Sequence, residues 1–341
     1  MSTNTASQVA AKSSRELSLE QKSVVSVIIP VLNEEKVIGR CLESLLQVDF
    51  PRDQFEVIVV DNGSTDSTTR VVHQFAPSLN LRLLERKGVC IAALRNLGAS
   101  HAQSQIFAFL DADCLVPREW LSLAAALFQA HPAGVIGGHC RIPDKSSWVA
   151  RTWYPEERIS KRGVVRYVPS GDLLVSRSQF SSVGGFDETL ETNEDYEFCQ
   201  RISKAGFPVL AFPELNVVHL GVPQTVSEFY RRNRWHGKHV VKVFLRDISS
   251  LHNVKPILFA LYVLLSLVGV VLGVVFGAFG RLELFAASLF ATFLGPFVLA
   301  LHAAVSRRRL SSLIPLTALF MLYGLARARC LVGKASSFRW R

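Results

Sequence analysis

Several features are missing from this chain, and each absence narrows its class. Residues Met1 to Lys22 are polar, rich in Ser, Thr and Gln, and hold no apolar core of signal-peptide length. They are expected to form a disordered lead-in. The first strand-like run is followed by PVLNEEKVIGR, with no glycine before Gly39. A dinucleotide fold needs glycine-rich turn chemistry there, so a hydride-transferring enzyme of that type is not expected, and no Walker-type phosphate loop occurs. The six cysteines, Cys41, Cys90, Cys114, Cys140, Cys199 and Cys330, form no Cys-x-x-Cys pair and no regular spacing. They read as reduced, small hydrophobic residues.

Acidic residues are absent from two basic stretches. Six Lys/Arg lie between Arg231 and Arg246, and eight between Ser306 and Arg341. These stretches flank the long apolar runs. Pro256–Gly280 and Leu284–Val305 each carry no charge and are long enough to cross a bilayer, with only Arg281, Leu282 and Glu283 between them. A third segment, Leu310–Ala326, is shorter and contains Pro315. Basic residues favour the cytoplasmic side, and a two-helix hairpin puts both clusters there. The expectation is therefore two spans plus a third segment, 310–326, that is interfacial or spanning. The net charge of +10 is better explained by anionic membrane lipids than by nucleic acid, which is not an expected partner.

With 341 residues, the chain suggests two structural units. Strand-like runs at 24–31, 55–60, 81–85, 105–110 and 134–138 alternate with helical patterns near 34–47, 66–76, 89–101 and 117–130. Continuous apolar strands alternating with helices indicate an α/β fold with a mostly parallel sheet covered on both faces. Ligands in such sheets bind beyond the carboxyl ends of the strands. That rule singles out PVLNEE, VDNGSTDS and LDADC. The stretch 141–245 is less regular, with two short strands and amphipathic helices from Asn193 to Ala205 and from Val226 to about Leu245.

Each of these turns has a structural and a chemical reading. VDNGSTDS suits a helix-capping turn, with Asp66 or Ser64 as the cap, yet Asp61 at the strand end could serve a base or ribose. Asp111 and Asp113 are either incidental acids of a solvated loop or two carboxylates serving one hard cation, Mg2+ or Mn2+. Without a cation they repel, and one pKa rises. Glu194 and Asp195 suit the first turn of a helix capped by Thr192 or Asn193. His219 is a packed strand-end histidine or a metal ligand. Arg231 to Trp235 is juxtamembrane charge or a clamp in which arginine binds diphosphate and tryptophan stacks on a sugar or acceptor.

Taken in order, VSVIIPVLNEE, VIVVDNGSTDST, GVCIAALRNLG, FLDADC, VGGFDE, NEDYEFCQRI and RRNRW resemble the family 2 glycosyltransferases of GT-A fold, over Val24 to Gly237. The resemblance implies a GT-A-type nucleotide-sugar-binding domain followed by a C-terminal transmembrane hairpin. It implies that Pro30, Glu34 and Asp61 hold base and ribose, that Arg95 and Asn96 line the nucleotide side, and that Asp113 contacts the metal, with Asp111 nearer the ribose. Asp195 matches the catalytic base, while His219, Arg234 and Trp235 complete the diphosphate side. The implied domains are a tail at 1–22, a nucleotide-sugar half at 23–140, an acceptor half at 141–245 and a membrane region at 246–341.

The expected reaction is inverting transfer of one sugar from a nucleotide-sugar donor to a lipid-linked or glycan acceptor, at the cytoplasmic face of the cell (inner or plasma) membrane. Arg231 stands where processive members have Gln, and the spans are too few for a polymer channel. Both departures favour single transfer. Leu32 replaces an aromatic frequent before Asn-Glu, so the base contact is expected to differ.

Overall fold

The computed structural model describes residues 24–131, 133–154, 162–239, 244–245 and 251–332. The expected lead-in, the end of the basic tail and part of the 231–246 stretch lie outside the described residues.

An eight-stranded sheet organises the region before the long apolar helices, in the order β3 (Leu81–Glu85), β2 (Phe55–Asp61), β1 (Val25–Val31), β4 (Ile106–Leu110), β8 (Asp172–Ser176), β6 (Val135–Gly137), β9 (Val209–Ala211), β7 (Gly163–Val164). β1, β2, β3 and β4 pair in parallel. Every residue of β1 and β2 is buried. Their largely apolar runs, broken by Ser26 and Glu56, which hydrogen-bond each other, fit strands with helices on both faces. One face is covered by α1 (Ile38–Leu46), α2 (Thr68–Phe75) and α4 (Trp120–Ala130), which pack with Val25, Val27 and Ile29. The other is covered by α3 (Ile91–His101) and α7 (Glu194–Lys204), which pack with Ile28 and Ile58. α3 sits against β1 at Gly98, where a β-carbon would lie 2.4 Å from Ile28 Cγ2.

The second half of the sheet reverses direction. β8 runs antiparallel to both β4 and β6, and β9 is parallel to β6. β7 closes the edge. A separate two-stranded ribbon pairs β5 (Cys114–Leu115) with β10 (Val218–His219), setting His219 opposite Cys114. α5 (Trp148–Trp153), α6 (Arg177–Ser182) and α8 (Val226–Gly237) complete this part. α8 opens with a capping box between Thr225 and Glu228, the Ser/Thr-x-x-Glu pattern that satisfies two N-terminal backbone donors.

Beyond these, α9 (Leu251–Gly277), α10 (Leu282–Ser306) and α11 (Leu313–Val332) provide three helices long and apolar enough to cross a membrane. α9 and α10 approach closely through glycine: a β-carbon on Gly273 would lie 2.7 Å from the Phe285 backbone. The first helix begins before the apolar run does, so Pro256 falls inside it. The third outlasts its apolar run by six residues, reaching Val332 instead of Ala326.

α11 packs on the sheet-containing region as well as on the hairpin. Leu316 buries against Ala300 and Ala304, and Tyr323 stacks on Phe259, close to the domain ends of α10 and α9. Trp153 joins Phe229 of α8 to Phe320 and Tyr323 of α11, with ring centroids 4.8, 5.2 and 5.5 Å away.

Candidate active site

The parallel strands end at one edge, and their following loops are tied together there. Asp61 leaves β2 and accepts hydrogen bonds from Gly63 N and Ser64 N, both at 2.9 Å, and from the Ser64 hydroxyl. Ser64 Oγ in turn accepts Asn33 N at 2.9 Å, and Asn33 Oδ1 accepts Thr65 N at 2.8 Å. Asp66 accepts Thr68 N and Glu35 N, tying this turn to the loop after β1, while the cap position of α2 falls to Ser67, which makes no side-chain capping bond. Pro30 is buried inside β1, and Glu34 stands in the loop just beyond it.

Asp111 and Asp113 follow β4 but have different partners. Asp111 Oδ1 accepts from Arg95 Nη2 at 2.6 Å, and Arg95 Nη1 donates to Glu194 Oε1 at 2.6 Å. Arg95 is only 1% exposed, so it meets the site through the two carboxylates it joins. Asn96 is likewise turned to the scaffold. Its Nδ2 donates to Phe186 O at 2.8 Å and its Oδ1 accepts Phe186 N at 2.9 Å, which fixes the Gly-Gly-Phe-Asp-Glu loop.

Asp113 pairs with His219, Oδ1 to Nε2 at 3.1 Å. Burial raises the Asp113 carboxyl, but His219 and Arg232 outweigh it and hold it below the usual range. Burial lowers His219, and Asp113 more than reverses that. Cys114 adjoins both, and the three ligand-capable atoms lie within 4.8 Å of one another. A hydrogen bond with Cys140, then burial, lifts the Cys114 thiol well above its usual range. Nearby, Glu34 is raised to about 8 by burial and then by Asp113, Asp111 and Asp66. This oxygen-rich, negatively charged pocket with one imidazole suits a hard divalent cation.

Two glycines leave room for these carboxylates. A β-carbon on Gly221 would lie 1.9 Å from Asp113 Oδ2, and one on Gly171 would lie 3.0 Å from Asp111 Oδ2.

Asp195 sits in the first turn of α7, behind Asn193 in the left-handed region at φ 64°. Its Oδ1 accepts Tyr196 N at 2.7 Å and its Oδ2 accepts Ser170 N at 3.3 Å. Burial raises its carboxyl, opposed by Tyr196 N–H and Arg95, and its neighbour Glu194 is raised to about 7 by burial and by Asp195. Trp235 lies on α8 with its ring 4.8 Å from that of His236, and the Arg234 carbonyl accepts from Cys330 Sγ at 3.1 Å.

A model of glycosyl transferase family 2 matches residues 26–178, and one of glycosyl transferase family group 2 matches residues 106–325. The chain belongs to glycosyltransferase family 2. It is 30% identical over 253 residues to glycosyltransferase AglE of Haloferax volcanii, covering 71% of this chain and 80% of that one. It is 26% identical to the beta-monoglucosyldiacylglycerol synthase of Nostoc sp., covering 62% of this chain and 48% of that protein, so it spans about half of that relative's length. Among solved structures, the mannosyltransferase PcManGT from Pyrobaculum calidifontis, in complex with GDP-Man and Mn2+, aligns over 95% of this chain and 94% of its own, with a TM-score of 0.60 at 23% identity. TarS 1-349 of S. aureus aligns over 91% and 92%, with a TM-score of 0.51 at 17% identity. These likenesses bear out the expected GT-A fold, and the protein is a nucleotide-sugar-using glycosyltransferase.

Within this family 2 site, sequence reasoning overlooked four features. Arg232, rather than Arg234, is the arginine whose charge reaches Asp113. Glu194 shares Arg95 with Asp111, and Gly171 and Gly221 clear the two aspartates. The neighbouring pair of acids at 194–195 was the available signal for Glu194. Nothing in the local sequence marked the other three.

Proposed function

We propose that this enzyme moves a single sugar from a nucleoside-diphosphate sugar to the hydroxyl of a lipid-linked or membrane-proximal acceptor, with inversion, at the cytoplasmic face of the membrane. The observation that carries the reading is the chain of contacts Asp111–Arg95–Glu194, which ties the loop holding the Asp113–His219 pair to the helix turn holding Asp195. Residues 24–140 would hold the donor, with Glu34 and Asp61 toward base and ribose. Residues 141–245 would present the acceptor.

Asp113 and His219 would hold Mg2+ or Mn2+, with Asp111 beside them, and the cation would offset charge on the departing diphosphate. Asp195 accepts the proton of the acceptor hydroxyl. The hydroxyl oxygen forms a bond to the anomeric carbon as that carbon's bond to the diphosphate oxygen breaks, and nucleoside diphosphate leaves with the electron pair. Arg95 keeps the two carboxylate-bearing segments in register from below. Arg232 and Arg234 supply positive charge on the diphosphate side, with Trp235 beside the acceptor.

The two basic stretches around the apolar helices support a cytoplasmic catalytic region. The contacts of α11 with α8 and with the domain ends of α9 and α10 support two spans and an interfacial third helix. A screen of nucleoside-diphosphate sugars with Mn2+ against the full chain in detergent, read by thermal shift, identifies the donor, because a bound ligand raises stability with its affinity. Product from that donor and a membrane lipid extract should carry one added sugar. A long polymer would establish a processive synthase instead, and absence of any transfer would establish a scaffold.

A further inference from the structure

A row of basic side chains runs along α8 away from the Asp113–His219 pair. Arg232 comes first, donating from Nη1 to the Gly221 carbonyl and acting on Asp113. One helical turn on is His236, whose carbonyl accepts from Asn193 Nδ2 at 3.3 Å, beside the start of the helix that carries Asp195. The third basic side chain comes from a different part of the chain. Arg327 of α11 reaches α8 at Gly237, where a β-carbon would lie 3.2 Å from its Cδ and 3.3 Å from its Nη1.

Arg327 is held firmly but is not satisfied. Its guanidinium sits 4.9 Å from the Tyr323 ring centroid, and its Nε is buried with no hydrogen-bond partner. Among the described residues, no carboxylate forms an ion pair with His236 or Arg327. Burial, then Arg232 and Arg327, hold His236 well below the usual histidine range. A buried N–H without an acceptor is costly, and an arginine fork matches the oxygens of a phosphate. Arg327 is therefore short of one anion, in a place beside His236. It lies where the helix packed along the hairpin base meets the helix turn of Asp195.

We propose that Arg327 and His236 form a subsite for the phosphate that links a lipid tail to the acceptor sugar. The class of acceptor is then a lipid phosphate-linked sugar rather than a neutral glycerolipid. The phosphate is held at the junction of α8 and α11, the tail lies toward the apolar helices, and the sugar hydroxyl reaches Asp195. This rests on the transferase reading above and deepens it.

The test uses the full chain in detergent micelles, with calorimetric binding of three probes: farnesyl phosphate, farnesol and inorganic phosphate. Farnesyl phosphate is expected to bind at least about tenfold more tightly than either of the others, from hydrogen bonds to a charged group. Arg327→Gln should lose about that factor and Arg327→Lys, which keeps the charge without the fork, should recover only part of it, while binding of UDP or GDP with Mn2+ stays at the wild-type value. Equal binding of farnesol overturns the phosphate subsite, and equal binding of inorganic phosphate overturns the lipid source. Unchanged affinity in Arg327→Gln overturns the residue assignment. If that variant fails to fold, the three wild-type affinities and Arg327→Lys still decide. Failure of wild type to bind any nucleotide with Mn2+ would strike instead at the transferase reading.

Discussion

Asp111 and Asp113 are two residues apart, yet they belong to regions with different electrostatics. On the Asp111 side, a fully buried guanidinium pairs at once with carboxylates from α7 and the β4 loop, so both are tied down within the protein. On the Asp113 side, one imidazole and the more distant charge of Arg232 face several acids, and burial, then those acids, raise Glu34 to about 8. The first region is built for position. The second is left with negative charge for something else to balance. A pair of acids that looks symmetrical in sequence is thus divided between scaffold and ligand binding, and substitutions on the two sides should fail differently.

The largest effect is expected where the scaffold delivers its product, the placed base. Asp195→Asn should lower kcat by about 10^2–10^4, the usual contribution of a general base, with nucleotide affinity intact by calorimetry. The pH profile carries the same information. The Asp195 carboxyl is raised by burial, and a base works only when deprotonated. Transfer should therefore fall as pH drops through a value above the ordinary aspartate range, with Glu194 titrating alongside. A kcat/KM limb at the ordinary aspartate value would break the assignment.

Next comes the scaffold itself. Arg95→Met leaves two carboxylates without their cation and should cost about 3–5 kcal/mol, seen as a lower melting temperature with or without metal. His219→Ala removes the partner of one carboxylate rather than two, so it should cost less than Arg95→Met and, unlike it, abolish the shift produced by Mn2+ with nucleotide. If both variants lose the same stability, the two sides are not different regions at all. A smaller effect sharpens the contrast. Gly221→Ala drives a methyl into Asp113 Oδ2, so it should weaken Mn2+-dependent nucleotide binding about tenfold or more, an effect of hydrogen-bond size, and leave the fold intact.

The parallel half of the sheet was legible because its strands are largely apolar runs and its helices keep their period. β1, β2, β3 and β4 fall within a residue of expectation. In the remaining half β6 and α7 also fall within a residue of expectation, but β5, β7 and β10 are two residues long and carry no period, and nothing local reports the reversal at β8. The ligand-side turns were readable from their place after strands. Arg95 was not, because its partner Glu194 lies 99 positions away and an arginine on a helix gives no sign of being buried. The third apolar helix was read as ending before Arg327 because charge stops an apolar run. In the fold, Arg327 and Cys330 pack against α8, and the helix continues.

The central claim is that Asp113 and His219 serve a divalent cation that secures the donor's diphosphate. Calorimetry of nucleoside diphosphate binding to the full chain, with Mn2+ and with EDTA, in wild type, Asp113→Ala and His219→Ala, tests it most directly. The expected result is tight binding in wild type with Mn2+ alone, and loss of the Mn2+ dependence in both variants. Binding in wild type that is indifferent to EDTA, or Mn2+ dependence that survives both substitutions, would contradict the claim.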